Sequence, residues 1–88
     1  MKILFEKRFL KDINALNEKH LKQQVEAVIS EIEKAGQLNL LGNLKKMKGH
    51  KSAYRIRIGN YRLGFFYENN TIICVRLLNR KDVYKYFP

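Results

Sequence analysis

Residues 52–67 read SAYRIRIGNYRLGFFY, and the fold turns on them. Tyr54, Ile56 and Ile58 alternate with Arg55 and Arg57, the period-2 pattern of a half-buried strand. After Gly59-Asn60 the β pattern resumes in YRLGFFY, so the pair reads as the two-residue loop of a hairpin. Such a loop sets the register, with Ile58 opposite Tyr61, Arg57 opposite Arg62 and Ile56 opposite Leu63. The apolar pairs then share one face, and Arg55, Arg57 and Arg62 share the other. Like charges directly opposite destabilise a ladder on the scale of about 0.2–1 kcal/mol. A bound phosphate, matched to guanidinium donors, would offset that repulsion. Side chains splayed into water would also reduce it, through screening.

Outward from the hairpin, ENN (68–70) makes a turn into a third antiparallel strand, TIICVRLLN (71–79). The tail RKDVYKYFP (80–88) reads as one helical turn that caps the sheet. Upstream, QLNLLGNLKKMKGHKSA reads as loop, a short strand around Leu44 to Lys48, then loop. Phe9, Ile13 and Leu16 recur at helical spacing, as do Leu21, Val25, Val28, Ile29 and Ile32. They define two amphipathic helices joined near Asn17, the second stopped by Gly36. KILFE (2–6) reads as a first strand. The order β, α, α, β, β, β, β predicts an α+β fold in one domain, residues 1–88. A helical pair packs on a mostly antiparallel sheet of four to five strands, leaving one sheet face to solvent for a ligand.

The chain of 88 residues is 45% hydrophobic and 30% charged, proportions of a folded soluble protein rather than a disordered or membrane one. Its formal charge of +10 favours an anionic partner. That excess is local: from Gln37 to Tyr67 there is no acidic residue, while Lys45, Lys46, Lys48, Lys51, Arg55, Arg57 and Arg62 are present. Cys74, the single cysteine, reads as a small buried hydrophobe and points to a reducing compartment. The N-terminal apolar stretch is too short and too charged for a signal peptide or membrane span, so the cytoplasm is the expected location. No carboxylate pair or His/Cys cluster has metal-ligand spacing, so neither metal nor cofactor is expected. His20 and His50 read as surface residues. Arg80 and Tyr84 are four apart and project together from a helical turn, over the arginine face. Tyr86 and Phe87 read as packing, whereas Tyr84 is open between packing, stacking on a base and moving a proton.

YRIRIGNYRLGFFY (54–67) followed by LLNRKDVYKYFP (77–88) resembles the RelE/ParE family of toxins from prokaryotic toxin-antitoxin systems. LKKMKG (44–49) and the order of elements extend the likeness, more loosely, over the whole chain. RelE-like members are ribosome-dependent endoribonucleases that cut mRNA and so inhibit translation, and ParE-like members act on DNA gyrase. The resemblance implies a catalytic role for Arg62, Arg80 and Tyr84. It places Arg55 and Arg57 on the RNA backbone, with Lys45, Lys46, Lys48 and Lys51 as further RNA-binding residues. It also implies a RelB-like antitoxin partner, the ribosome and mRNA as targets, and operator DNA bound through the antitoxin complex. Cleavage would need no metal and would leave a 2′,3′-cyclic phosphate and a 5′-hydroxyl. The chain departs from the family at Asn79, where many members carry histidine; asparagine exchanges no proton near neutral pH. Gyrase inhibition, or nucleic-acid binding by a member that has lost catalysis at Asn79, are the alternatives.

Overall fold

The expected hairpin forms in the register expected of it. A computed structural model describes all 88 residues, and in it β3 (Ala53–Ile58) pairs antiparallel with β4 (Tyr61–Glu68), with Arg57 opposite Arg62. Gly59 takes φ +58° at the first central position of the turn, a conformation that side chains resist and that suits the twist of the flanking strands. Asn69 and Asn70, at φ 50° and 57°, make the other tight turn, into β5 (Thr71–Asn79). Asparagine tolerates the left-handed region better than most residues.

Five strands form one sheet in the order β1-β5-β4-β3-β2. The first, β1 (Lys2–Phe5), lies parallel to β5 at one edge; β2 (Leu44–Lys46) is antiparallel to β3 at the other. A parallel first strand requires a crossover, which α1 (Lys7–Asn14) and α2 (Lys19–Lys34) begin. The helices bury Phe9, Leu21, Val25 and Ile32 against Ile56, Ile58, Leu63, Phe65, Ile72, Cys74 and Leu77. Burial pushes the Cys74 thiol up to about 12, so it packs as a neutral hydrophobe. Gly36 is not the helix stop: α2 ends at Lys34 because Ala35 swings into extended backbone (ψ 135°).

Two expectations about the other face need correction. It is not left wholly to solvent, since Met47, Ala53, Leu78, Val83 and Phe87 form a second small core there, flanked by Phe66 and Val75. Apolar residues on that side of the strands need cover, and the tail with α3 (Val83–Tyr86) supplies it. Phe87 packs as expected, but Tyr86 does not, being 58% exposed. The solvated remainder lies toward the Gly59-Asn60 turn, where the arginines are.

Asp12 does work that its position in α1 does not announce. Because β1 is short, the far half of β5 has a free edge, and the Asp12 carboxylate accepts the Leu77 backbone N–H at 2.9 Å. It also accepts from Arg76 Nε at 2.8 Å and Nη2 at 3.2 Å, with both side chains mostly buried. Asp12→Ala is therefore expected to lower stability by about 1–2 kcal/mol, measured by urea unfolding, from a lost charge-assisted pair and an unpaired edge donor. Asp12→Asn, which keeps an acceptor for Leu77, should lose less.

Candidate nucleic-acid interface

Each arginine of the cluster is placed by a separate piece of backbone. Arg55 and Arg57 alternate with the buried Ile56 and Ile58 on β3, which turns them from the helices. Across the ladder, Arg57 meets Arg62 and Arg55 meets Gly64. Arg80 follows β5, and its backbone N–H donates to the Asn60 carbonyl at 2.8 Å, tying the start of the tail to the hairpin tip. Arg55 Nε donates to the Tyr84 hydroxyl at 3.1 Å, with the guanidinium carbon 5.9 Å from the phenol ring centre.

The headgroups converge, and none is neutralised. Arg76 with Asp12 is the one ion pair in the chain, so Arg55, Arg57, Arg62 and Arg80 have no carboxylate partner. Arg62 is lowered from its ordinary value, first by desolvation and then by repulsion from Arg55, Arg57 and Arg80. Its Nη1 donates to the carbonyls of Gly59 at 3.0 Å and Tyr61 at 2.9 Å. That tether leaves Nε and Nη2, a side-on pair suited to two oxygens of one phosphate. Tyr84 is also lowered, chiefly by the Arg55 hydrogen bond, against an opposing desolvation effect and with help from the charges of Arg55, Lys45 and Arg62.

Two recesses flank the Arg57–Arg62 pair. One, of ≈ 360 Å³, is bordered by Lys45, Arg55, Arg57 and Arg62; the other, of ≈ 610 Å³, by Arg57, Arg62 and Arg80 with residues of α2. The lysines do not gather as one group. Lys45 pairs with Arg55 and joins the cluster. Lys48 borders a recess with Tyr84 and Phe87. Lys46 borders it too, but it pairs with Tyr54, whose ring packs under the helices, and so belongs by alternation to the opposite face. Lys51 lies in the loop before β3, at the end of the hairpin far from the turn, and borders none of these recesses. Alternation along β2 and the length of the loop separate residues that are close in sequence.

Asn79 pairs with Tyr61, which in turn follows the helix side, and it borders a recess with Glu18, His20 and Gln24 rather than with any arginine. Its side-chain oxygen accepts the Lys81 N–H at 3.0 Å, an Asx turn that starts the tail.

A family model described as ParE toxin of type II toxin-antitoxin system, parDE, matches residues 3–84. The chain belongs to the RelE/ParE toxin family. It is 43% identical over 89 residues to Toxin RelE3 of Methanocaldococcus jannaschii, with all of both chains covered. It superimposes on a chain of the RelB-RelE antitoxin-toxin complex from Methanococcus jannaschii with a TM-score of 0.81 and 41% identity, covering 97% of this chain and 99% of that one. The YoeB dimer from Staphylococcus aureus shares the fold alone, at a TM-score of 0.72 and 22% identity over 89% of this chain and 94% of that one. The protein is thus a RelE-like toxin of a toxin-antitoxin system.

Three further residues of the candidate site were not singled out in the sequence. Gly64, opposite Arg55, is a notch filled by the Phe87 ring, and Gln24 and Asn43 border the larger recess. Gly64 carried a signal, as a glycine inside a strand pattern marks close approach. Gln24 and Asn43 carried none, being ordinary polar residues of a helix and a loop.

Proposed function

We propose that the toxin is a ribosome-dependent endoribonuclease that cuts mRNA at the phosphate received by Arg57, Arg62 and Arg80. What supports this reading is one observation: four arginines without internal acids converge beside a phenol that one of them holds. RNA carries its own nucleophile, so the protein need only orient the 2′-hydroxyl and stabilise charge on the phosphoryl oxygens. The 2′-oxygen attacks phosphorus, its proton passing to water, and the bond to the 5′-oxygen breaks. Because Arg55 Nε occupies an acceptor position of the Tyr84 oxygen, the phenol points its own proton outward. Tyr84 gives that proton to the departing 5′-oxygen, leaving a 2′,3′-cyclic phosphate and a 5′-hydroxyl. Cations that lower the phenol's pKa make it a better acid.

A histidine is not needed in this scheme, and Asn79 faces away from the arginines, so its presence costs the reaction little. Lys45 and Lys48 extend the basic surface along the RNA backbone, with affinity that falls as salt rises. A RelB-like antitoxin, acidic and folding as it binds, suits the same surface in the cytoplasm, and operator DNA would be bound through that complex.

Purified toxin, translating ribosomes and a defined mRNA test the reading. Cut mRNA with cyclic-phosphate ends is expected; intact mRNA with DNA damage in expressing cells would instead indicate gyrase as the target, as in ParE-like members. A pH series tests Tyr84. Cleavage should decline on the alkaline side as the phenol loses its proton, and should do so below the ordinary value of 10.0 because that pKa is lowered. Arg55→Ala should move the decline to higher pH. Tyr84→Phe should remove it and slow cleavage by about 10²-fold.

A further inference from the structure

The larger recess has features that a phosphate site alone does not require. It opens between α2 and the Gly59-Asn60 turn, measures ≈ 610 Å³, and lies within the size range of small-molecule sites. Its apolar wall is Ala27, Val28 and Ile58, while Gln24, Asn43 and Asn60 bring amides that both donate and accept. No carboxylate borders it. Gly59 and Gln24 border it together, with Gln24 Oε1 4.0 Å from the position a Cβ on Gly59 would take. The recess shares Asn43, Arg57 and Arg62 with the smaller one beside Arg55, whereas Gln24, Gly59 and Asn60 border only the larger of the two, so a phosphate on the arginine pair has Tyr84 on one flank and this recess on the other.

We propose that the recess between α2 and the β3–β4 turn receives one nucleoside of the RNA, adjoining the phosphate held by Arg57 and Arg62. An apolar wall takes the face of the base, and the amides of Gln24 and Asn43 read its edge, as in single-strand RNA recognition. They thereby set which base adjoins the cut. This rests on the nuclease reading above and adds a specificity site to it.

Two measurements separate the inference from that reading. In the first, toxin labelled with ¹⁵N is titrated with each of the four nucleoside 3′-monophosphates, which requires no cleavage. Saturable shifts of the Gln24 side-chain amide and of the Gly59 and Asn60 backbone, which border only the larger recess of the two, are expected together with that of Asn43, unequal among the four bases. Shifts confined to the Arg55 and Tyr84 side would overturn the proposal. The second maps cleavage of mRNAs that differ only in the bases flanking one cut. Gln24→Ala and Asn43→Gly should flatten the preference at one flanking position by about tenfold, the scale of a neutral hydrogen bond, with the same product ends. Glycine suits position 43 because Asn43 sits at φ 58°. Cleavage with unchanged preference in both variants would reject the recess and leave the nuclease standing. Saturable shifts at the recess with no cleavage by the wild type would do the reverse.

Discussion

Arg62→Ala is expected to slow ribosome-programmed mRNA cleavage by about 10³-fold while barely moving the unfolding midpoint. The two effects separate because of where the guanidinium stands. It faces Arg57 across the ladder and is repelled by Arg55, Arg57 and Arg80, so its removal relieves the free protein of repulsion. Losing the two hydrogen bonds from Nη1 to the Gly59 and Tyr61 carbonyls costs about 1 kcal/mol, and the relieved repulsion returns an amount of similar size. An arginine headgroup does not deprotonate in the accessible range, so this repulsion shows in salt dependence rather than pH dependence. Under the proposed cleavage the balance reverses, as the free Nε and Nη2, held in place by the Nη1 tether, would meet charge that grows in the transition state. Arg62→Lys should fall between the two, since an ammonium keeps the charge and loses the paired donors. Single-turnover cleavage beside RNA affinity makes the measurement. Wild-type rates in Arg62→Ala would remove the assignment of this site.

Gly64→Ala should be the most disruptive single-methyl change in the chain, lowering stability by about 2–3 kcal/mol. A Cβ at that position would stand 2.7 Å from Phe87 Cδ2 and 2.8 Å from Cγ. No left-handed backbone is involved; the requirement is space. Gly64 sits in a central strand paired on both sides, whereas Phe87, 2% exposed, follows only the four-residue α3, so the strand stays and the tail leaves. Exposing the ring forfeits about 1.5–3 kcal/mol of burial and opens the small core around Met47, Ala53, Leu78 and Val83. Tyr84 lies one helical turn before Phe87, so its hydrogen bond with Arg55 goes with the tail. Cleavage should fall by about tenfold or more even where the variant is fully folded, approaching the loss in Tyr84→Phe. Phe87→Ala should cost about 3 kcal/mol, and adding Gly64→Ala to it should cost almost nothing more. Additive losses in urea unfolding would show that the contact is not the cause.

Much of the candidate site was legible along the chain. Arg55, Arg57, Arg62, Arg80 and Tyr84 were identified before any geometry, and their convergence follows from the hairpin register and the closeness of the last strand. The split among the lysines was not legible, because Lys45 and Lys46 are neighbours whose fate depends on which strand β2 pairs with and in what register. Asn79 was similarly ambiguous. Its identity was plain, but its pairing with Tyr61, away from the arginines, required the sheet.

Local order in this toxin was written residue by residue. Period-2 alternation around a two-residue glycine turn admits one register, and helical spacing in residues 9–32 admits one buried stripe, so strands, helices and the arginine face needed nothing from distant parts of the chain. Packing alone settled the rest: Asp12 closing the edge of β5, Phe87 seated over Gly64, Gln24 and Asn43 meeting at the larger recess, and the second small core that the tail buries on the face expected to be open to solvent. Each of these joins residues far apart in sequence. Short-range patterns constrain neighbours on one element, whereas the fit between elements depends on how whole surfaces meet.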